Sequence, residues 1–177
     1  MGMMFVVGRL QELGRKEGVP LYTCFVDLQK AYDSVDRSLL WIVLERFGVP
    51  PVMVDIVRQF YDGMRTCVRL DGGRLSEWFE VGQGLRQGFV LAPILFNIHF
   101  TVVLNTAEER LREDPQVEAN VASIRSTPLT VRDGDETPQT STIWNMLYAD
   151  DAAIVFRSPA SLAKNMTAVV EVCRAYD

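Results

Sequence analysis

Tyr148-Ala149-Asp150-Asp151 sets two adjacent carboxylates between two apolar, strand-like runs, Ile143 to Leu147 upstream and Ala152 to Phe156 downstream. Two strands joined so tightly make a hairpin whose turn projects both acids from a sheet edge. Carboxylates held that close repel, by roughly 4 kcal/mol per pair at ~4 Å and an effective dielectric of ~20. Protonation or a bound cation relieves the repulsion. A hard divalent ion with oxygen ligands is the natural partner, and magnesium beside substrate phosphates is its commonest setting. Taken alone, the tetrapeptide reads first as an ordinary solvated Asp-Asp turn. The weight falls on what accompanies it.

Two further places carry chemistry-bearing residues. Asp27 closes an apolar run, Cys24-Phe25-Val26, and a carboxylate at a strand end is a frequent catalytic position. Arg86-Gln87-Gly88 precedes a helix-opening Pro93 and Asn97, a segment that would also pass as a plain loop and cap.

The elements that must position these residues are legible from periodicity. Met3, Val7, Leu10 and Leu13 recur at helical spacing, and Gly18-Val19-Pro20 stops that helix. Leu21 to Asp27 is β-prone. Asp36 or Ser38 caps a second helix with the stripe Leu39, Leu40, Val43, Leu44 and Phe47, ended by Gly48. Pro51 suits the first turn of a third, through Val54, Val57, Phe60 and Tyr61. Cys67 to Leu70 and Leu75 to Val81 flank Asp71-Gly72-Gly73 as a hairpin. Pro93 opens a long helix, residues 112–141 read as a variable loop with a short hairpin around Asp133-Gly134-Asp135, and Ser158-Pro159 caps a last helix with Leu162, Met166, Val169 and Cys173. Hairpins outnumber βαβ crossovers, which points to an α+β layer.

Composition narrows the function classes. The 177 residues are 48% apolar, enough for one good core. Mean hydropathy is +0.06, and no apolar run approaches the ~20 residues that span a bilayer. The N-terminal apolar stretch meets Arg9 too early for a signal peptide, so an intracellular setting (cytoplasmic or nuclear) is expected. Cys24, Cys67 and Cys173 are scattered and odd in number, which suggests reduced core thiols. His99 is the single histidine, which excludes sites built on several. The net charge of −5 is unlike a self-sufficient nucleic-acid binder, whose affinity comes mostly from basic contacts to phosphate.

Together, FVDLQKAYDSVDR (Phe25 to Arg37), GLRQGFVLAPILFN (Gly84 to Asn97) and YADD (Tyr148 to Asp151) resemble motifs A, B and C of the reverse transcriptases of non-LTR (LINE-type) retrotransposons. The resemblance implies a right-hand polymerase palm: an antiparallel sheet with helices packed on one face, partial fingers and no thumb. It implies a single domain over 1–177, with a leading helix in 1–20, motifs A and B in 21–111, the variable loop in 112–141, and the motif C hairpin with its following helix in 142–177. The implied activity is RNA-directed DNA synthesis from dNTPs on an RNA template and DNA primer. Asp27 and Asp150 would share two Mg2+ ions (Mn2+ a substitute), with Asp151 more peripheral and the Leu28 carbonyl a further ligand. Two ions ~3.5–4 Å apart suit in-line phosphoryl transfer, which needs no side-chain nucleophile. Tyr32 stands where the family keeps an aromatic that crowds the sugar 2′ position, though it reads equally as a core tyrosine. Gln87 and Gly88 match nucleotide-contacting residues; Arg86 would aid phosphate binding, though it reads first as a surface arginine, and Tyr148 would support the primer end or pack beneath the site.

The match has departures. Phe89-Val90 and Ala92-Pro93 replace the Cys-Pro and Ser-Pro usual around motif B. The resemblance also implies that basic fingers strands, the lysine-bearing motif D, the primer grip and the thumb belong to a longer polyprotein, and that these residues alone extend primers poorly. Two alternatives remain open from sequence: an RNA-dependent RNA polymerase, for which Asp33 would read the 2′-hydroxyl, and an inactive retroelement remnant acting as a binding module.

Overall fold

The structure, a computed structural model, describes residues 2–126 and 139–176. In chain order, helix α1 (Gly2–Glu17) and strand β1 (Tyr22–Asp27) precede helices α2 (Arg37–Arg46) and α3 (Pro51–Gln59) and short strands β2 (Arg65–Thr66) and β3 (Phe79–Glu80). Next come helix α4 (Ala92–Leu111), the single turn α5 (Pro115–Glu118), strands β4 (Ala122–Ser126), β5 (Gln139–Ile143), β6 (Asn145–Tyr148) and β7 (Asp151–Phe156), and helix α6 (Pro159–Tyr176). The chain divides into two compact units, residues 1–28 with 103–176, and residues 29–102.

The first unit is built on an antiparallel sheet ordered β1-β7-β6. Strand β7 lies in the middle, and Ala152, Ala153, Ile154, Val155 and Phe156 are each 0–1% exposed. Successive strand residues point to opposite faces, so a sheet covered on one face alone would alternate. The expectation of helices on one face is therefore corrected: both faces of β7 are buried. Val155 packs with Leu10 of α1 and Ala122 of β4, joined by Val6, Leu21, Ile143 and Met146. Each such aliphatic side chain removed from water contributes about 1.5–3 kcal/mol.

Three further corrections concern this unit. The strand expected from Ile143 through Leu147 is split, because Ile143 ends β5 opposite Ala122 and the chain bends at Trp144. The Trp144 ring meets Phe156 edge-on at 5.8 Å, an apolar reason for the bend. The segment 112–141 holds α5 and the paired strands β4 and β5 at its margins; Asp133-Gly134-Asp135 lies outside the described residues. Helix α6 buries Ser161, Asn165, Ala168, Val169 and Val172; of the expected stripe Val169 is buried, whereas Leu162, Met166 and Cys173 are half-buried. Small residues allow close approach, and Ser161 stays satisfied by donating from Oγ to the Gln116 carbonyl at 3.2 Å.

In the second unit Asp36, not Ser38, caps α2, its carboxylate accepting from the Ser38 and Leu39 N–H groups at 2.7 and 3.1 Å. Pro51 stands in the first turn of α3. Leu40, Trp41, Val43, Leu44 and Val54 are buried, whereas Phe47, expected in the stripe, is 50% exposed. The Gly-rich hairpin forms, but its ladder sits further out than expected, at Arg65↔Glu80 and Thr66↔Phe79, with a bridge Arg69↔Leu75. Cys24, Cys67 and Cys173 are half-buried, less deeply placed than core thiols. Among the described residues no helix is long and apolar enough to cross a membrane.

Candidate active site

Strand register brings the first unit's acids together. Asp27, the last residue of β1, is the direct partner of Asp151, the first residue of β7. On the other side Asp151 partners Tyr148, the last residue of β6. Directly opposed residues in an antiparallel ladder point to the same face, with Cβ atoms about 4.5–5.5 Å apart. Asp27, Asp151 and Tyr148 therefore form one row across three strand ends, and all three are exposed. Asp150, half-buried, precedes Asp151 in the turn. Leu28 follows Asp27 immediately, so its carbonyl leaves the same strand end. The resemblance gave the leading part to Asp150, yet the ladder makes Asp151 the direct neighbour of Asp27.

The turn between β6 and β7 has two central residues, Ala149 and Asp150. Ala149 has φ 54°, in the left-handed region where hairpin turns usually place glycine. Holding a residue with a Cβ there costs on the order of 1–3 kcal/mol, so the turn carrying Asp150 stores strain. Lys30, three residues past Asp27, has φ 55° and is the other such residue besides glycine among the described residues. Its carbonyl accepts the N–H groups of Asp33 and Ser34, closing a tight turn within motif A.

The donors in this row are carboxylate and carbonyl oxygens, hard ligands that suit Mg2+ or Mn2+. Among the described residues no three of His, Cys, Asp and Glu close into a metal cage. Magnesium rarely needs one, because one or two carboxylates hold it while waters and substrate phosphates complete its shell. The residues fit the ion.

Tyr32, Arg86, Gln87 and Gly88 belong to the second unit. Tyr32 is half-buried with its ring 5.1 Å from Phe96, and its carbonyl accepts the Leu85 N–H at 2.6 Å. Arg86, Gln87 and Gly88 are all exposed. Gly88 has φ 80° and open space where a Cβ would stand, so conformation alone requires glycine there. His99 is buried on α4 with Nδ1 unpartnered, and burial lowers its pKa from 6.5 against a weaker upward pull from Asp36.

Sequence reasoning passed over Gly84 and Arg37 as working parts. A Cβ on Gly84 would lie 2.7 Å from the Asp33 carbonyl oxygen and 2.8 Å from its Cα. The glycine is what lets motif B meet the turn within motif A. Arg37 is 9% exposed and donates to backbone carbonyls of the segment leading into the Arg86-Gln87-Gly88 loop. A basic residue at the start of a helix, where the dipole disfavours cations, was the available signal.

A family model described as reverse transcriptase (RNA-dependent DNA polymerase) matches residues 8–177. The chain is 36% identical over 85 residues to the Retrovirus-related Pol polyprotein from type-2 retrotransposable element R2DM of Drosophila melanogaster, covering 48% of this chain and 8% of that protein. It is 30% identical over 89 residues to the corresponding polyprotein of element R2 from Nasonia vitripennis, covering 50% of this chain and 9% of that one. It thus spans less than a tenth of the length of these two relatives. A solved structure of apo telomerase from Candida tropicalis, truncated from its C-terminal domain, matches 94% of this chain and 31% of its own at TM-score 0.59 and 15% identity. That likeness is one of fold, and it supports a palm-like polymerase architecture for the mixed helices and antiparallel strands. The three ordered motifs and the match across residues 8–177 make this chain a member of the reverse transcriptase (RNA-dependent DNA polymerase) family, of the kind carried by non-LTR retrotransposons.

Proposed function

We propose that the chain is the catalytic palm of a retroelement polymerase that copies RNA into DNA, adding dNTPs to a primer 3′-hydroxyl. The observation that carries this reading is the register of Asp27 opposite Asp151, one residue from Asp150. Asp27 and Asp151 oppose each other across the ladder and Asp150 stands in the adjoining turn, negative charge that serves no packing purpose. Divalent ions bound there would neutralise the triphosphate and acidify the attacking hydroxyl. Asp27, Asp150 and Asp151 hold the ions, the Leu28 carbonyl adds a ligand, and Tyr148 supports the primer end from the same row. Gln87 and Gly88 contact the incoming nucleotide, Arg86 its phosphates, and Tyr32 excludes the 2′-hydroxyl. Fingers and thumb segments of a longer polyprotein supply the basic grip on template and primer that a chain of net charge −5 lacks.

The test uses the longer protein with an RNA template annealed to a DNA primer. Magnesium-dependent dNTP incorporation is expected, abolished in Asp150→Asn. Undiminished incorporation by that variant would show that the acids are not the metal site, and no incorporation by the unaltered protein would leave a binding module.

A further inference from the structure

We propose that Arg37 is a positioning residue that clamps both ends of the Arg86-Gln87-Gly88 loop and so presets it for the incoming nucleotide. The proposal rests on the assignment of that loop to the nucleotide, made above.

Arg37 is the first residue of α2, and its side chain turns inward. Nε donates to the Gly84 carbonyl at 2.7 Å, Nη1 to Val81 at 2.9 Å and Nη2 to Gln83 at 2.9 Å. Three carbonyls from a four-residue stretch thus share one planar guanidinium, whose rigid fork fixes them relative to one another. An ammonium cannot do this, having one nitrogen to aim. The same stretch is tied by its own N–H groups, Gly84 to the Val35 carbonyl at 2.9 Å and Leu85 to that of Tyr32 at 2.6 Å.

The far end of the loop converges on the same group. The Arg37 guanidinium carbon lies 5.0 Å from the centre of the Tyr61 ring. Tyr61 in turn meets Phe89 edge-on at 6.0 Å, and Phe60 packs on Phe89 at 5.5 Å. The Phe89 N–H closes onto the Arg86 carbonyl at 3.1 Å. Residues 84–85 and 89 are therefore anchored while the three between them stay exposed. Phe89, a departure from the cysteine usual there, is the anchor that this arrangement uses.

Burying a guanidinium with no carboxylate hydrogen-bonded to it, on carbonyls, the Tyr61 ring and the Met64 sulfur, is expensive, and an apolar residue would fill the space more cheaply. What the arginine adds is a single conformation for the loop, and for Tyr32, whose carbonyl belongs to the same network. The consequence falls on nucleotide binding and sugar selection, not on phosphoryl transfer.

The test is Arg37→Lys in the longer protein, with steady-state incorporation and hydrogen exchange read together. KM for dNTP is expected to rise about tenfold with kcat within about threefold, since a displaced binding loop weakens positioning and leaves the acids in place. Preference for dNTP over rNTP falls, and exchange of the 84–89 amides speeds up while that of 152–156 is unchanged. Phe89→Leu, acting from the other end, raises KM in the same direction and is the decisive variant if Arg37→Lys does not fold. A purely structural arginine would lower the active fraction, cutting apparent kcat with KM and sugar preference unmoved; that result overturns the clamp. Asp150→Asn separates the two readings. Retained incorporation there defeats the metal-site assignment of the acids, whereas its loss together with an unmoved KM in Arg37→Lys and Phe89→Leu defeats the clamp alone.

Discussion

The acidic row of the first unit and the loop of the second both expose polar residues on fixed backbone, by opposite means. In the row, position comes free with the ladder: Asp27, Asp151 and Tyr148 are register partners at strand ends, above a β7 with no exposed apolar residue. The charges themselves oppose folding, because like charges directly across a ladder repel. In the loop no ladder exists, and position is supplied by Arg37, Gly84, Tyr61 and Phe89, all of which contribute to the fold. The acids of the row stand where their charge opposes stability; the loop is held by contacts that contribute to it. Substitutions should separate the two regions accordingly.

The largest effect is expected in the row. Asp27→Asn should lower kcat by about a thousandfold, roughly 4 kcal/mol of transition-state stabilisation. Urea unfolding of the same variant should give a stability equal to the parent or about 0.2–1 kcal/mol greater, since a like-charge pair is relieved. Loss of stability alongside activity would make Asp27 a structural residue and dissolve the contrast.

In the loop the signs run together. Gly84→Ala should destabilise by about 3 kcal/mol, the sum of a left-handed backbone with a Cβ and its clash with Asp33. KM for dNTP should rise in the folded fraction. A cost below about 1 kcal/mol in urea would mean that the Asp33 backbone yields, and that this contact does not position motif B.

These two regions also differ in how much of them the sequence made legible. The row could be anticipated because strand alternation is local: apolar runs ending on Asp27 and flanking Asp150 announce strands, and the family resemblance supplied their pairing. Helix α1 announced itself through its Gly18-Val19-Pro20 stop, and α3 and α4 through a proline in the first turn, in the same local way. What escaped was set by distant partners. The buried face of α6 turned on Ser161 finding the Gln116 carbonyl, 45 positions earlier in the chain. The role of Arg37 turned on carbonyls 44 to 47 positions later, which no periodicity encodes. Strand β7 was expected in a sheet with helices on one face but is buried on both faces, in keeping with an apolar run that does not alternate.

A smaller effect contrasts the two left-handed positions. Gly84 is a glycine because its surroundings forbid a Cβ, whereas Ala149 keeps its Cβ at φ 54° in the turn beside the acids. Ala149→Gly should stabilise the protein by about 0.5–1 kcal/mol, strain relief partly offset by the added freedom of glycine in the unfolded chain. Loosening the turn should lower kcat a few-fold while leaving KM alone. Unchanged kcat would show that the strain does not help hold Asp150.

The smallest effect is one of pH and belongs to the second unit. His99 is buried, and desolvation holds its pKa below 6.5, with Asp36 pulling weakly the other way. As pH falls below 6.5 the unfolded chain therefore takes up a proton that the folded one refuses. The stabilisation is present in full above pH 6.5 and is lost as pH drops toward the folded value, below which the dependence levels off. His99→Gln should flatten the midpoint-against-pH curve in that window and leave it unchanged near neutrality. A curve as steep as the parent's would assign the acid sensitivity to carboxylates, and with it to a different part of the chain.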